Sequence, residues 1–259
     1  MKAWLSWGFW PTIAGVLGAI LILNEWVPVR TSGHEAPRSY REAVVTATPS
    51  VVNIYTAKLV RERRPSFNSP LLQRFFNNSS QRGRVERSLG SGVIMSEEGL
   101  IITNNHVIAG ADAIQVLLSD GRSAEARVVG SDPETDLAML KTDLAGLIPI
   151  EMANSDEIEV GDIVLAIGNP FGFGHSVSQG IVSGLGRYGL QLSAYEDYIQ
   201  TDASIHLGNS GGALIDSSGR LVGINTLIYT GTPDASRENS GIGINLATPS
   251  NMVTYVMRS

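Results

Sequence analysis

From residue 51 to residue 247 the apolar positions come in short runs rich in valine, isoleucine and leucine. Such runs, too short for a helical repeat and punctuated by turn signals, predict β-strands. One set covers 51–55, 92–95, 100–103, 114–118, 124–129 and 138–141. A second covers 163–167, 177–182, 198–201, 213–215, 221–225 and 243–247. Glu98-Gly99, Asp120-Gly121 and Ser218-Gly219 supply turns between them. Two sets of six predict an all-β fold of two barrels, the first over about 50–150 and the second over about 155–247, with the break near 145–156. The two sets could be distant copies of one another. A short helix is expected over 39–48, ended by Pro49, and a closing helix over 249–258 with proline in its first turn.

Two stretches break this pattern. Residues 3–24 carry no charge, and all four tryptophans, Trp4, Trp7, Trp10 and Trp26, lie near the ends of that stretch. About 20 apolar residues suffice to cross a bilayer as a helix, and tryptophan favours the headgroup level. The expectation is a transmembrane anchor over 1–27 and a polar tether over 28–38. The competing reading is a cleaved secretory signal, but no small-x-small site follows Leu23. The second stretch, 57–88, holds seven arginines together with Phe67, Leu71, Leu72, Phe75 and Phe76. It reads either as a mobile surface loop or as a segment whose apolar residues dock on another subunit.

The net charge of −6 gives no basic face for a phosphate backbone, so nucleic acid is not expected as a partner. The absence of cysteine excludes a disulfide, a thiolate metal site and a cysteine nucleophile.

Amide hydrolysis by serine needs a hydroxyl, a base, a group that orients the base, and donors for the oxyanion. Gly208-Asn209-Ser210-Gly211-Gly212 frames a serine with glycines between two predicted strands. Its alternative is a glycine-rich hairpin. His106 follows the strand 100–103, and Asp136 precedes the strand 138–141. Alone each is weak, and Asp132 competes with Asp136. Together they run in the order His, Asp, Ser, with His106 and Asp136 in the first strand set and Ser210 in the second. An active site in the cleft between the barrels follows.

The segments Gly90-Ser91-Gly92-Val93-Ile94, Thr103-Asn104-Asn105-His106-Val107-Ile108, Thr135-Asp136-Leu137-Ala138, Ala166-Ile167-Gly168-Asn169-Pro170, Gly208-Asn209-Ser210-Gly211-Gly212 and Gly223-Ile224-Asn225-Thr226 resemble the HtrA (Deg) family of serine proteases. A single anchor followed directly by this domain resembles the membrane-anchored DegS/AlgW branch. The resemblance implies a chymotrypsin-like double β-barrel over 39–259 and a homotrimer. It implies His106 as general base, Asp136 as its orienting partner and Ser210 as nucleophile, with Gly208, Asn209 and Ser210 forming the oxyanion hole. Thr226, Leu227 and Ile228 would bind substrate, Leu227 and Ile228 by pairing with its backbone, beside a pocket for a small apolar residue. Loops 171–176, 184–197 and 226–240 match regulatory loops. No cofactor and no metal is implied. Substrates would be unfolded or regulatory envelope proteins, such as a single-pass anti-sigma factor, cut on the periplasmic side of the bacterial inner membrane. The alternative is a low-activity chaperone or binding module that keeps the fold. Family members usually continue into PDZ domains; this sequence ends at Ser259, and none is expected within it. One position bears on mechanism, and one dipeptide departs from the family pattern. Asn209 replaces the aspartate that digestive relatives pair with a new amino terminus, so loop rearrangement rather than cleavage is the expected route to activation. His206-Leu207 stands where many relatives carry Asn-Pro, and His206 reads as a loop residue or one that tunes the loop.

Overall fold

The computed structural model describes residues 39–60, 84–169, 174–189, 195–206, 208–229 and 244–258, without the side chains of 60, 84–87 and 227–229. The predicted anchor and tether, Phe75, Phe76 and most of the arginine-rich stretch lie outside the described residues. Among the described residues no helix is long and apolar enough to cross a membrane.

The described chain opens with helix α1 (Arg41–Ala47) and a 3-10 turn at Thr48–Ser50. Barrel 1 follows: β1 (Val51–Val60), β2 (Arg84–Ile94), β3 (Leu100–Asn104), the short helix α2 (Asn105–Ile108), β4 (Ala113–Leu117), β5 (Ser123–Asp132) and β6 (Leu137–Thr142). Barrel 2 holds β7 (Ile163–Gly168), β8 (Ser176–Arg187), β9 (Tyr198–Thr201), β10 (Ala213–Asp216), β11 (Leu221–Tyr229) and β12 (Ile244–Pro249), and helix α3 (Ser250–Arg258) closes the chain. Pro249 ends the last strand, and the closing helix starts one residue after it. The barrels close in the orders 1-2-3-6-5-4 and 7-8-9-12-11-10. Adding six to each strand number of the first gives the second, which supports reading the strand sets as copies. The stretch read as a loop over 57–88 is narrower: β1 and β2 stay paired out to Val60↔Arg84. The ladder there pairs Ala57, Lys58, Leu59 and Val60 with Arg87, Glu86, Val85 and Arg84, a mixture of apolar and charged residues that forms no continuous apolar run in sequence.

The strands face two cores at once. In β1, Val52 and Ile54 point into barrel 1, whereas Val51 joins a second cluster. In β3, Ile101 lies inside the barrel and Ile102 outside it. In β7, Val164 and Ala166 fill barrel 2, while Leu165 and Ile167 join the same outer cluster. The outer cluster is therefore a seam between the barrels, built by Val51, Val93, Ile102 and Leu137 from one side and Leu165, Ile167, Ile215 and Ile224 from the other. Ala43 and Ala47 of α1 and Val253 of α3 extend it. Strands buried on both faces explain the unbroken apolar runs, since the period of two sends alternate residues to different cores. Burial of each such side chain contributes about 1.5–3 kcal/mol.

At the Asp120-Gly121 turn, the Asp120 carboxylate accepts the Arg122 backbone amide at 3.0 Å and its Nε at 2.7 Å. The backbone bond, then the side-chain bond, holds that carboxyl below its ordinary value.

Ile167→Ala in the seam and Ile54→Ala inside barrel 1 should each cost about 2–5 kcal/mol. Because the seam couples the barrels, urea unfolding of the wild type should remain one transition. Two separate midpoints, one per barrel, would show that the seam does not couple them.

Candidate active site

The pairing of β3 with β6 brings His106 and Asp136 together. Asn104 faces Leu137 across this antiparallel ladder. Continuing the register sets Asn105 against Asp136, and the Asn105 amide donates to the Asp136 carbonyl at 2.9 Å. The chain then turns into α2, which swings His106 over the Asp136 side chain. The Asp136 carboxylate grips it twice. Oδ1 accepts the His106 backbone amide at 2.9 Å, and Oδ2 lies 2.6 Å from Nδ1. With the carboxylate as acceptor, Nδ1 carries the hydrogen and Nε2 is left as the basic nitrogen. The His106 side chain is 45% exposed and that of Asp136 15%, so the acceptor is sheltered while the ring keeps an open edge.

Asp136 adopts φ 57°. Aspartate is among the few residues that enter this left-handed region. Its carbonyl is anchored there by the Asn105 amide and by Asn104 Nδ2 at 3.1 Å. The rival Asp132 is committed elsewhere. Its oxygens accept the Glu134 amide at 2.9 Å and the Thr135 hydroxyl at 2.9 Å, closing its own turn.

Ser210 sits in a turn between β9 and β10, on the other barrel. The Asn209 amide donates to the His206 carbonyl at 2.9 Å, and the Gly212 amide to the Asn209 carbonyl at 2.9 Å. Gly208 at φ 96° and Gly211 at φ 83° take the left-handed backbone this turn requires. A Cβ on Gly211 would lie 2.2 Å from the Ser91 carbonyl oxygen and 2.3 Å from Thr103 Oγ1. The Ser210 turn thus lies directly on β2 and β3, the latter being the strand from which His106 follows. The Ser91 amide donates to the Ser210 carbonyl at 2.8 Å across the seam. Among the described residues no hydrogen bond links Ser210 to His106.

Of the three predicted oxyanion residues, Asn209 has its amide committed to His206 and is unavailable as a donor. The amides of Gly208 and Ser210 have no protein partner among the described residues. Asn209 is instead buried, with its side chain against the Gly168 backbone. Thr226, expected at the substrate, turns inward. It is fully buried, its hydroxyl donates to the Ile224 carbonyl at 3.0 Å, and Asn104 Nδ2 reaches it at 3.4 Å. A register shift between Asn225 and Leu227 produces this turn. Leu227 and Ile228 pair with Leu246 and Asn245, and their side chains lie outside the described residues. His206 is exposed, and only its carbonyl takes part in the turn. Two inter-barrel polar residues were not among the predicted site residues. Asn104 ties the Asp136 carbonyl to Thr226, and Ser91 bonds the nucleophile turn.

A six-plus-six double barrel with a His–Asp pair on one barrel and a glycine-framed serine on the other defines a chymotrypsin-like serine peptidase domain. The profile described as "Trypsin-like peptidase domain" matches residues 90–224. The chain is 43% identical over 253 residues to the "Serine endoprotease DegS" of Escherichia coli (strain K12), covering 93% of this chain and 65% of that protein. It is 40% identical over 247 residues to the "Periplasmic serine endoprotease DegP" of Salmonella typhimurium (strain LT2), covering 94% of this chain and 49% of that one. A solved "HtrA-type protease AlgW with decapeptide" superposes with TM-score 0.70 at 50% identity, over 85% of this chain and 67% of that chain. The chain belongs to the trypsin-like peptidases and, within them, to the HtrA-type serine proteases. It spans about two thirds of the length of DegS and half that of DegP.

Gly211→Ala should cost well over 2 kcal/mol, since strain of about 1–2 kcal/mol adds to a clash with backbone. Gly121→Ala, at φ 88° with nothing within 4 Å of the added Cβ, should cost the strain alone. Urea midpoints of the two variants compare them directly; equal shifts would mean that the turn can back away from β2.

Proposed function

We propose that this chain is a serine endopeptidase that cleaves unfolded or regulatory proteins of the cell envelope. The observation that carries the reading is the double grip of Asp136 on His106, made beside a strand that supports the Ser210 turn. In this reading His106 Nε2 takes the Ser210 proton as the hydroxyl oxygen attacks the peptide carbonyl. Asp136 fixes the tautomer and stabilises the imidazolium. The amides of Gly208 and Ser210 receive the oxyanion. His106 then returns the proton to the leaving amine, the acyl-enzyme forms, and water repeats the sequence to release it. Leu227 and Ile228 in β11 offer backbone to an extended substrate, as edge-strand addition requires.

The wider assignment draws on the sequence and on relatives. Residues 1–27 serve as the anchor, 28–38 as the tether and 39–259 as the protease domain, facing the periplasm from the inner membrane. The uncharged stretch 3–24 and the similarity to a periplasmic serine endoprotease support this. The homotrimer and a single-pass regulatory substrate such as an anti-sigma factor follow the family resemblance. A second reading, a low-activity chaperone or binding module, draws on the missing Ser210–His106 hydrogen bond.

Ser210→Ala should lower cleavage of unfolded casein by roughly 10⁴- to 10⁶-fold, and Asp136→Asn by about 10⁴-fold. Equal residual cleavage by wild type and Ser210→Ala removes the enzyme assignment and leaves the binding module. For assembly, deletion of Phe75 and Phe76 should shift the sedimenting species from trimer towards monomer; an unchanged mass refutes their part in it.

A further inference from the structure

Ser91 is fully buried in β2, has no place in the triad, and has every polar atom paired. Its hydroxyl donates to the Gly208 carbonyl at 2.7 Å and accepts the Asn169 amide at 2.9 Å. Its own amide donates to the Ser210 carbonyl, and its carbonyl accepts the Thr103 hydroxyl at 2.7 Å. One residue of barrel 1 thus holds two carbonyls of the nucleophile turn on barrel 2.

The effect on the turn is clearest one peptide plane at a time. The plane joining Gly208 to Asn209 is held at its oxygen by the Ser91 hydroxyl and at its nitrogen by the His206 carbonyl. The plane joining Ser210 to Gly211 is held at its oxygen by the Ser91 amide and at its nitrogen by the Asn225 carbonyl. Between them, the plane joining Asn209 to Ser210 is held at its oxygen by the Gly212 amide, and its N–H stays unpaired. A peptide plane beside glycine rotates at low cost, because no Cβ opposes the change. Gly208 and Gly211 flank this segment, so external bonds must fix the planes if two N–H groups are to converge on an oxyanion.

The hydroxyl also has a defined polarity. A serine oxygen can turn its hydrogen in several directions. The Asn169 N–H occupies a lone pair, which directs the hydroxyl hydrogen to the Gly208 oxygen. Asn169, whose Oδ1 accepts the Gly174 amide at 3.3 Å, therefore bears on the Ser210 turn through the Ser91 hydroxyl oxygen.

We propose that Ser91 is a positioning residue for the oxyanion donors, clamping the Gly208–Gly211 turn from the opposite barrel and transmitting the placement of Asn169 to it. The proposal rests on the endopeptidase reading above. The test uses the full chain carrying Ser91→Ala, with kcat and KM measured on a peptide substrate. It also measures the affinity of a peptide aldehyde that mimics the tetrahedral state, and the affinity of the uncleaved peptide in a Ser210→Ala background. Loss of the clamp should lower kcat by about 10- to 100-fold, below the ~10²–10³ seen when an oxyanion donor itself is removed. KM should stay within about twofold, aldehyde affinity should fall in step with kcat, and affinity for the uncleaved peptide should not change. Ser91→Cys, similar in volume but a weaker donor, should lie between Ser91→Ala and wild type, which separates the hydrogen bond from packing. A kcat within twofold of wild type, equal losses for aldehyde and uncleaved peptide, or Ser91→Cys no better than Ser91→Ala overturns the proposal. If Ser210→Ala kills activity while Ser91→Ala spares it, only the clamp fails; if Ser210→Ala itself retains activity, the enzyme reading fails first.

Discussion

The apolar seam between the barrels sets how the Ser210 turn of one barrel is placed relative to His106 of the other. Val51, Val93, Ile102 and Leu137 on one side and Leu165, Ile167, Ile215 and Ile224 on the other are buried to 7% exposure or less. A core packed to crystal density has little room to slide. The Ser210 turn leads directly into β10, whose Ala213 and Ile215 belong to the seam, and β3 contributes Ile102 to it just before His106. Both halves of the site therefore hang from one close-packed layer. The same dry layer makes polar mismatches costly, and Ser91, Thr103 and Thr226 meet that demand by bonding across or along it, as does Asn104 Nδ2, while Asn104 Oδ1 is buried without a partner among the described residues.

The site divides unequally between local and non-local structure. The His106–Asp136 pair needs only barrel 1, because the β3–β6 register delivers it as soon as those strands pair. The approach of Ser210 needs both barrels, the seam and the Ser91 contacts. A change that loosens the seam consequently separates Ser210 from His106 without disturbing the His106–Asp136 contact. The glycines at 208 and 211 make the turn the softest part of this assembly, and its outside bonds supply the rigidity that its own sequence lacks.

All twelve strands were legible from the sequence because their cores are built from branched apolar residues. Their extents were not. β1, β2, β8 and β11 run past the apolar runs, through segments such as Ser183–Arg187 where the ladder alone sustains the strand. The helical turn carrying His106 spans four residues, too few to show a 3.6-residue period. Asp132 and Asp136 could not be told apart by pattern, since both are polar residues at one strand junction; which carboxylate closes its own turn is a matter of backbone geometry. The inward Thr226 was hidden by a bulge that reverses alternation. Ser91 was visible only as a small residue between two glycines, because its hydroxyl partners lie 117 and 78 residues away.

The electrostatic character of the contacts follows the same division. Every hydrogen bond that crosses from barrel 1 to the nucleophile turn, or from Asn104 to Thr226, joins neutral groups. Each is worth about 0.5–1.5 kcal/mol. Among the described residues, the charged group at the site is the Asp136 carboxylate, bonded to His106 within barrel 1. Salt screens partly exposed charges but has little hold on buried neutral bonds. Asn209 fits this arrangement: a carboxylate at that buried position, against the Gly168 backbone, would demand a cation, whereas the amide does not. Ionic conditions therefore act on the Asp136–His106 contact, while the docking of the Ser210 turn depends on shape and on neutral bonds. A turn held in this way can be released or set by moving a neighbouring segment, with no charge created or buried in the process.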